Sequence, residues 1–259
     1  MMDPLGLAAE ASGLADLVVL EAIVADAGAE ALRLFERAEA LDVSLKGPSQ
    51  YVSVADLRIE AMLRERLTAA FGETGFIGEE GGGDFTGDGW VVDPIDGTSN
   101  FIRGLPLWGI SVGLMRQGQP IMGVIAMPAH ALTVSAASGA GLRLDGRPIG
   151  RRSPHGLPPT FAVGENPTWD RADIERTATD LRVAGYDVVH YRCASGALAL
   201  SALGRLDGFV EHHLKLWDIA AGWIICEEAG MNVCVSTRGD TTRSIDVRAI
   251  SSNAYLLSE

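Results

Sequence analysis

Apolar residues recur at helical spacing over residues 14–38, with Asp16, Glu21, Asp26, Glu30 and Arg33 between them. This pattern predicts an amphipathic helix. A second helix is predicted over 56–71, where Ile59, Met62, Leu63, Leu67, Ala70 and Phe71 form one stripe. Asp56 stands where its N-cap is expected. The period then shortens. Trp90–Val92, Gly109–Arg116, Pro120–Met127, Leu132–Ala136 and Gly141–Leu144 read as strands, with Asp145-Gly146 a turn signal. Helices followed by a run of strands predict an α+β half with a mostly antiparallel sheet.

The character changes near residue 147. Arg151–Pro159 holds three prolines and no apolar periodicity, so it reads as a linker. Beyond it, strands at 161–164, 186–191 and 208–212 alternate with helices at 171–183, 195–205 and 219–229. Such alternation predicts α/β layering. The chain therefore divides into an N-terminal α+β subdomain, 1–147, and a C-terminal α/β subdomain, 148–259.

Composition narrows the function classes. An apolar share of 47% excludes a disordered chain and supports a sizeable core. Twenty-one basic against 34 acidic residues leave a net charge of −13, which argues against binding a nucleic-acid polymer. An acidic protein repels an acidic ligand unless cations intervene, so a phosphorylated substrate calls for a metal-bridged site. Cys193, Cys226 and Cys234 are odd in number and lack metal-ligand spacing, which points to buried thiols in a reduced cytoplasmic protein. Acids interrupt the apolar run from Leu14, so no membrane association is expected.

The chemistry concentrates in Trp90-Val91-Val92-Asp93-Pro94-Ile95-Asp96-Gly97-Thr98-Ser99-Asn100-Phe101. A strand runs into two carboxylates that offer hard oxygen ligands suited to Mg²⁺. Pro94 stiffens the turn between them. Gly97 admits a ligand close to the backbone, and the N–H groups of Gly97 and Thr98 face an anion if a helix starts there. Asp-Pro and Asp-Gly are also ordinary turn dipeptides. The full run carries more than those pairs do.

Asp93 to Phe101 resembles the central signature of the inositol monophosphatase family, Asp-Pro-Ile-Asp-Gly-Thr-x-Asn-Phe. Other elements are similar in the same order. They are Lys46, Val52-Ser53-Val54-Ala55-Asp56, Gly78-Glu79-Glu80, Arg205-Leu206-Asp207-Gly208-Phe209-Val210-Glu211, Trp217-Asp218-Ile219-Ala220-Ala221-Gly222 and Glu227-Glu228-Ala229-Gly230. One departure is visible. The family often has Arg-x-x-Gly-Ser/Thr-Ala, whereas this chain has Arg192-Cys193-Ala194-Ser195-Gly196-Ala197.

The resemblance implies a layered αβαβα sandwich with the site between the subdomains. It also implies a phosphomonoesterase that uses two to three Mg²⁺ ions. Glu79, Asp93 and the carbonyl of Ile95 would hold the first ion. Asp93, Asp96 and Asp218 would hold the second, with a weaker third near Glu79. Thr98 and Asp56 would orient and deprotonate the attacking water, so Thr98, Asp56 and Glu79 are the catalytic candidates. Gly97 and Thr98 would bind phosphate, and Ala197 and Glu211 the polyol. Lys46 is either a rim cation or an ordinary surface lysine. Arg103, where the family commonly has histidine, receives no role. His212 and His213 are expected on opposite faces of a strand. Asp218, read alone, is a helix N-cap.

The expected substrate is inositol monophosphate or a similar small polyol phosphate. Fructose 1,6-bisphosphate, adenosine 3′,5′-bisphosphate and histidinol phosphate remain as alternatives, because the metal core is common to enzymes acting on them. A homodimer is expected by resemblance. A calcium loop starting at Asp93 is excluded by Pro94, Ile95 and Gly104, the last at the position that needs a bidentate glutamate. Gly139-Ala140-Gly141 lacks the third glycine and helix of a dinucleotide site. A non-catalytic sugar-phosphate scaffold should have lost a ligand or the Thr98–Asp56 pair, and none is missing.

Overall fold

A computed structural model describes residues 4–37, 43–47, 50–83, 85–152, 157–237 and 244–251. The first helical stripe belongs to a longer helix, α1 (Pro4–Phe35), which buries Leu17, Leu20, Val24, Ala27 and Ala31 completely. A short hairpin follows, β1 (Val43–Gly47) with β2 (Gln50–Ser53). Helix α2 (Val54–Phe71) starts two residues earlier than expected, so Asp56 sits inside its first turn and is not the N-cap.

Seven strands then form one sheet in sequence order. They are β3 (Phe76–Gly78), β4 (Gly89–Asp96), β5 (Gly109–Arg116), β6 (Gln119–Met127), β7 (Leu132–Ala137), β8 (Gly141–Leu144) and β9 (Arg147–Pro148). Only β3 with β4 is parallel; the other pairs are antiparallel, as the helices-then-strands order predicts. A single helical turn, α3 (Thr98–Phe101), leaves the end of β4.

The second sheet draws on β10 (Thr160–Val163), β11 (Asp187–Val189), β12 (Gly208–Leu214), β13 (Asn232–Thr237) and β14 (Ile245–Ile250), in the order β11-β10-β12-β14-β13. Its β10 pairs are parallel and its β14 pairs antiparallel. Helices α4 (Arg171–Val183), α5 (Ala194–Ala202) and α6 (Leu216–Glu228) match the expected helices closely. Strands β1, β2, β3, β9, β13 and β14 were not expected. Helix α4 starts where Asp170 caps it, its carboxylate accepting from Ala172 N–H at 2.8 Å.

The packing order gives five layers. Helices α1 and α2 cover one face of the large sheet, and α5 and α6 cover the other. Helix α6 also packs on β13 and β14, while α4 lies against β10 and β11 on the far side. Being between two sheets, α6 is apolar nearly all round and buries Ile219, Ala220, Ala221, Gly222, Ile224 and Ile225. Ala220 and Ala221 lie so close to Gly113 and Gly123 that a methyl on either glycine would come within 2.9 Å of them. Half of the Trp-Asp-x-Ala-Ala-Gly element is therefore packing. Among the described residues no helix is long and apolar enough to cross a membrane. Cys193 and Cys226 are buried thiols, but Cys234 is exposed on β13, against expectation.

Candidate active site

On a regular strand, residues three apart point to opposite faces. Between β4 and β5 the register passes from Asp93↔Ser111 to Asp96↔Gly109, so three steps on β4 match two on β5. This extra residue is a bulge, and bulges re-aim side chains. Here it lets Asp93 and Asp96 share one side of the sheet. Asp93 Oδ1 accepts from Ile95 N–H at 3.0 Å, which fixes the turn through Pro94.

Asp96 is anchored from the second half of the chain. Its Oδ2 accepts from Ser195 N–H at 2.6 Å and from Cys193 Sγ at 3.3 Å, at the start of α5. Gly97 follows with φ +86°, where L side chains are strained, and a Cβ there would lie 2.9 Å from the Leu107 carbonyl. Thr98 then opens α3. Its hydroxyl is 3.1 Å from Asp56 Oδ1 and 2.9 Å from the Ile95 carbonyl. Asn100 ties this turn to the far segment by donating to the carbonyls of Leu107 (2.7 Å) and Tyr191 (2.8 Å).

Asp218 arrives on α6. Ser111, opposite Asp93, donates its hydroxyl to the Trp217 carbonyl at 3.3 Å, which seats the start of α6 beside β4 and β5. Lys215 is the N-cap residue, and Asp218 stands three residues on, in the first turn. Its Oδ2 accepts from Lys215 N–H at 2.6 Å, half of a capping box. Capping and a place in the site coexist. Glu79 follows β3, half-buried, with its N–H on the Val92 carbonyl at 3.2 Å. The loop after it is held by buried Glu60, which accepts from Glu80 N–H and Gly81 N–H, both at 2.8 Å.

These carboxyls feel one another. Burial pushes Asp93 well above the usual carboxylate range, and the charges of Glu79, Asp96, Asp218 and Asp56 push it further. Burial also raises Asp96, although the Ser195 and Cys193 hydrogen bonds pull it back. Asp218 is raised well up by burial and then by Asp96. Glu211, buried on β12, is pushed up to about 8 by burial, with Asp96 and Glu165 adding to it. Among the described residues no three His, Cys, Asp or Glu side chains form a finished metal cage. Asp96 and Asp218 each aim an oxygen at a backbone N–H, so the protein sets their orientation. The donors are nevertheless all hard carboxylate oxygens whose shared repulsion a divalent cation relieves, which fits Mg²⁺ in chemical type.

Groups raised on folding make the native state bind more protons than the unfolded chain, from about pH 4 upward. Metal-free protein should therefore lose stability as pH rises toward the Glu211 value of about 8. Cations displace those protons, so stabilisation by Mg²⁺ should grow with pH. It should reach about 2.7 kcal/mol at 100 times the dissociation constant. Melting curves with chelator and with Mg²⁺, at about pH 5 and about pH 8, check both signs. A chelated protein that gains stability across that interval would contradict the assignment.

The model of the inositol monophosphatase family matches residues 16–257. An inositol-1-monophosphatase of Rhizobium meliloti is 39% identical over 220 residues, 83% of this chain and 83% of that protein. The chain belongs to the inositol monophosphatase family. A fructose-1,6-bisphosphatase/inositol-1-monophosphatase of Aquifex aeolicus is 32% identical over 214 residues, 80% of this chain and 81% of that one. The solved structure of the extragenic suppressor protein suhB from Bartonella henselae superposes with a TM-score of 0.80 at 30% identity, covering 92% and 94% of the two chains. The fold is thus the family's layered sandwich. The protein is a phosphatase that hydrolyses phosphate monoesters, in a family that is generally metal-dependent and acts on small phosphorylated substrates.

Other candidate residues fall in different places. Glu211 is buried close to Asp96. Ala197 lies in the core between the sheets with 1% exposure, so its side chain offers a substrate almost nothing. The contribution of α5 comes from Ser195 N–H and the adjoining Cys193. The Lys46 side chain lies outside the described residues. Arg103 braces α3, donating to the Ser99 carbonyl at 2.7 Å and the Ser99 hydroxyl at 2.6 Å. The two histidines do not face opposite ways. A register shift between Glu211 and Leu214 breaks the alternation, and both line one small cleft.

Proposed function

We propose that the protein is a Mg²⁺-dependent phosphomonoesterase whose substrate is inositol monophosphate or a similar small polyol phosphate. One observation carries the reading. Asp93 feels the charges of Glu79, Asp96 and Asp218, Asp218 feels that of Asp96, and beside them Thr98 bonds to Asp56. Relatives named inositol-1-monophosphatase support the polyol.

In this reading Glu79, Asp93 and the Ile95 carbonyl would hold one ion, and Asp93, Asp96 and Asp218 a second, with a third near Glu79. When bound, Mg²⁺ supplies charge neutralisation at the phosphoryl oxygens and an acidified water. The chain does the rest. Thr98 has one hydroxyl proton. Given to Asp56, it leaves the Thr98 oxygen as acceptor for a proton of the attacking water. The N–H groups of Gly97 and Thr98 have no acceptor within their helix and turn to phosphate oxygens. Buried Glu211 accepts a hydroxyl of the leaving polyol.

The test is phosphate release from a panel with Mg²⁺ present. It includes inositol 1-phosphate, fructose 1,6-bisphosphate, adenosine 3′,5′-bisphosphate and histidinol phosphate. The polyol monophosphate should show the highest kcat/KM. A bisphosphate or histidinol phosphate ranking first would displace this substrate while keeping the chemistry. No turnover of any member would reject the catalytic reading.

A further inference from the structure

We infer that Asn166 is a positioning residue, which turns the Glu211 carboxyl toward the hydroxyls of the leaving group. The inference rests on the proposed role of Glu211 and goes one residue beyond it. Asn166 follows β10 and meets β12 from the side. Its Nδ2 donates to Glu211 Oε1 at 2.9 Å and to the His212 carbonyl at 2.6 Å. Its Oδ1 accepts from Thr168 N–H (3.0 Å), the Thr168 hydroxyl (2.7 Å) and Trp169 N–H (3.0 Å). The two ends of one amide thus do different work. The oxygen closes an Asx-type turn, and the nitrogen holds the carboxyl.

Gly164 completes the seat. A Cβ there would lie 1.8 Å from Glu211 Oε2, so only glycine lets the carboxyl occupy this place. One oxygen of Glu211 is therefore fixed by Asn166 and the other is pressed on the Gly164 backbone. A buried carboxyl held this way loses little rotamer freedom when a substrate arrives, which is how a supporting residue makes a contact effective. Asn166 also lines a cleft of about 530 Å³ whose walls include Glu165, Trp169, Arg171 and Arg192. Asn166 thus touches both Glu211 and this open space.

Asn166→Asp separates the two ends. It keeps the acceptor for Thr168 and Trp169, so the turn persists, but it loses the donor and sets a carboxylate beside Glu211. The ratio of kcat/KM on inositol 1-phosphate to that on an aryl phosphate should fall about tenfold, the low end for a hydrogen bond to a charged group. The same substitution in a Glu211→Ala background should change the ratio no further. A fall that persists without Glu211 overturns the inference, since Asn166 then acts alone. An Asn166→Asp enzyme with the parent ratio also overturns it. If Glu211→Ala lowers the ratio in that case, the role of Glu211 survives and only the positioning is lost. If Glu211→Ala leaves it unchanged too, both ideas fall. Asn166→Ala, with melting curves, shows how much the turn itself contributes.

Discussion

Asp93→Asn should reduce kcat by about three orders of magnitude or more, some 4 kcal/mol of barrier at 1.36 kcal/mol per tenfold. In the proposed site Asp93 is the one carboxylate common to both ions, so its charge matters twice. The substitution is nearly isosteric. An Asn oxygen can still accept from Ile95 N–H, the 3.0 Å contact that shapes the turn. The fold should persist. The metal-free variant should even melt at or above the parent temperature, because Asp93 is the buried carboxyl against which four acids press. The measurement is kcat at saturating Mg²⁺ with melting curves in chelator. Chelator should likewise abolish activity in the parent, and Mg²⁺ should restore it. Asp218→Asn should fall in the same direction while keeping its Lys215 N–H contact. Near-normal kcat in Asp93→Asn at saturating Mg²⁺ would make the residue structural, and full turnover in excess chelator would end the metal reading.

What was legible in the sequence was contiguous. Asp93, Asp96, Gly97 and Thr98 lie within six residues, so strand, turn and helix start could be read together. The helices α1 and α2 showed their apolar stripes. What was not legible depends on pairing across the chain. Nothing near Asp96 announces Ser195 or Cys193, which reach it from 99 and 97 positions away. The bulge that turns Asp93 and Asp96 to one side exists only in register with β5. The same holds at His212 and His213, where strand alternation gives the wrong answer because β12 shifts register against β14. Asp56 and Asp218 both looked like N-caps, but each helix begins earlier. Strand β14 was missed although its sequence alternates, apolar Ile245, Val247 and Ala249 with polar Asp246 and Arg248; of the two polar residues only Arg248 is exposed. Asn166-Pro167 carried only a turn signal, with no hint of Glu211.

Glu211→Ala should separate substrate recognition from the metal core. Glu211 is 4% exposed, bonded to Asn166 and raised to about 8 by burial first and by the Asp96 charge after the Asn166 bond has pulled it down. A cation beside Asp96 opposes the part due to that charge and shifts the carboxyl toward its ionised form. Ionised, it accepts hydroxyl hydrogens at both oxygens; protonated, it accepts at one and donates at the other. Either form holds a polyol hydroxyl remote from phosphorus. A hydrogen bond to a charged group contributes roughly 1.5–3 kcal/mol. The kcat/KM for a polyol phosphate should therefore fall about 10–150-fold. An aryl phosphate has no such hydroxyl and should change little. Mg²⁺ affinity should be almost unchanged, since Glu211 is not among the proposed ligands. Removing a buried carboxyl with a raised pKa should also flatten the loss of stability between the ordinary carboxylate range and pH 8. The ratio of the two substrates decides the matter. An equal loss on both would move Glu211 into the metal shell or the fold, and the polyol would lose the one side chain that recognises it.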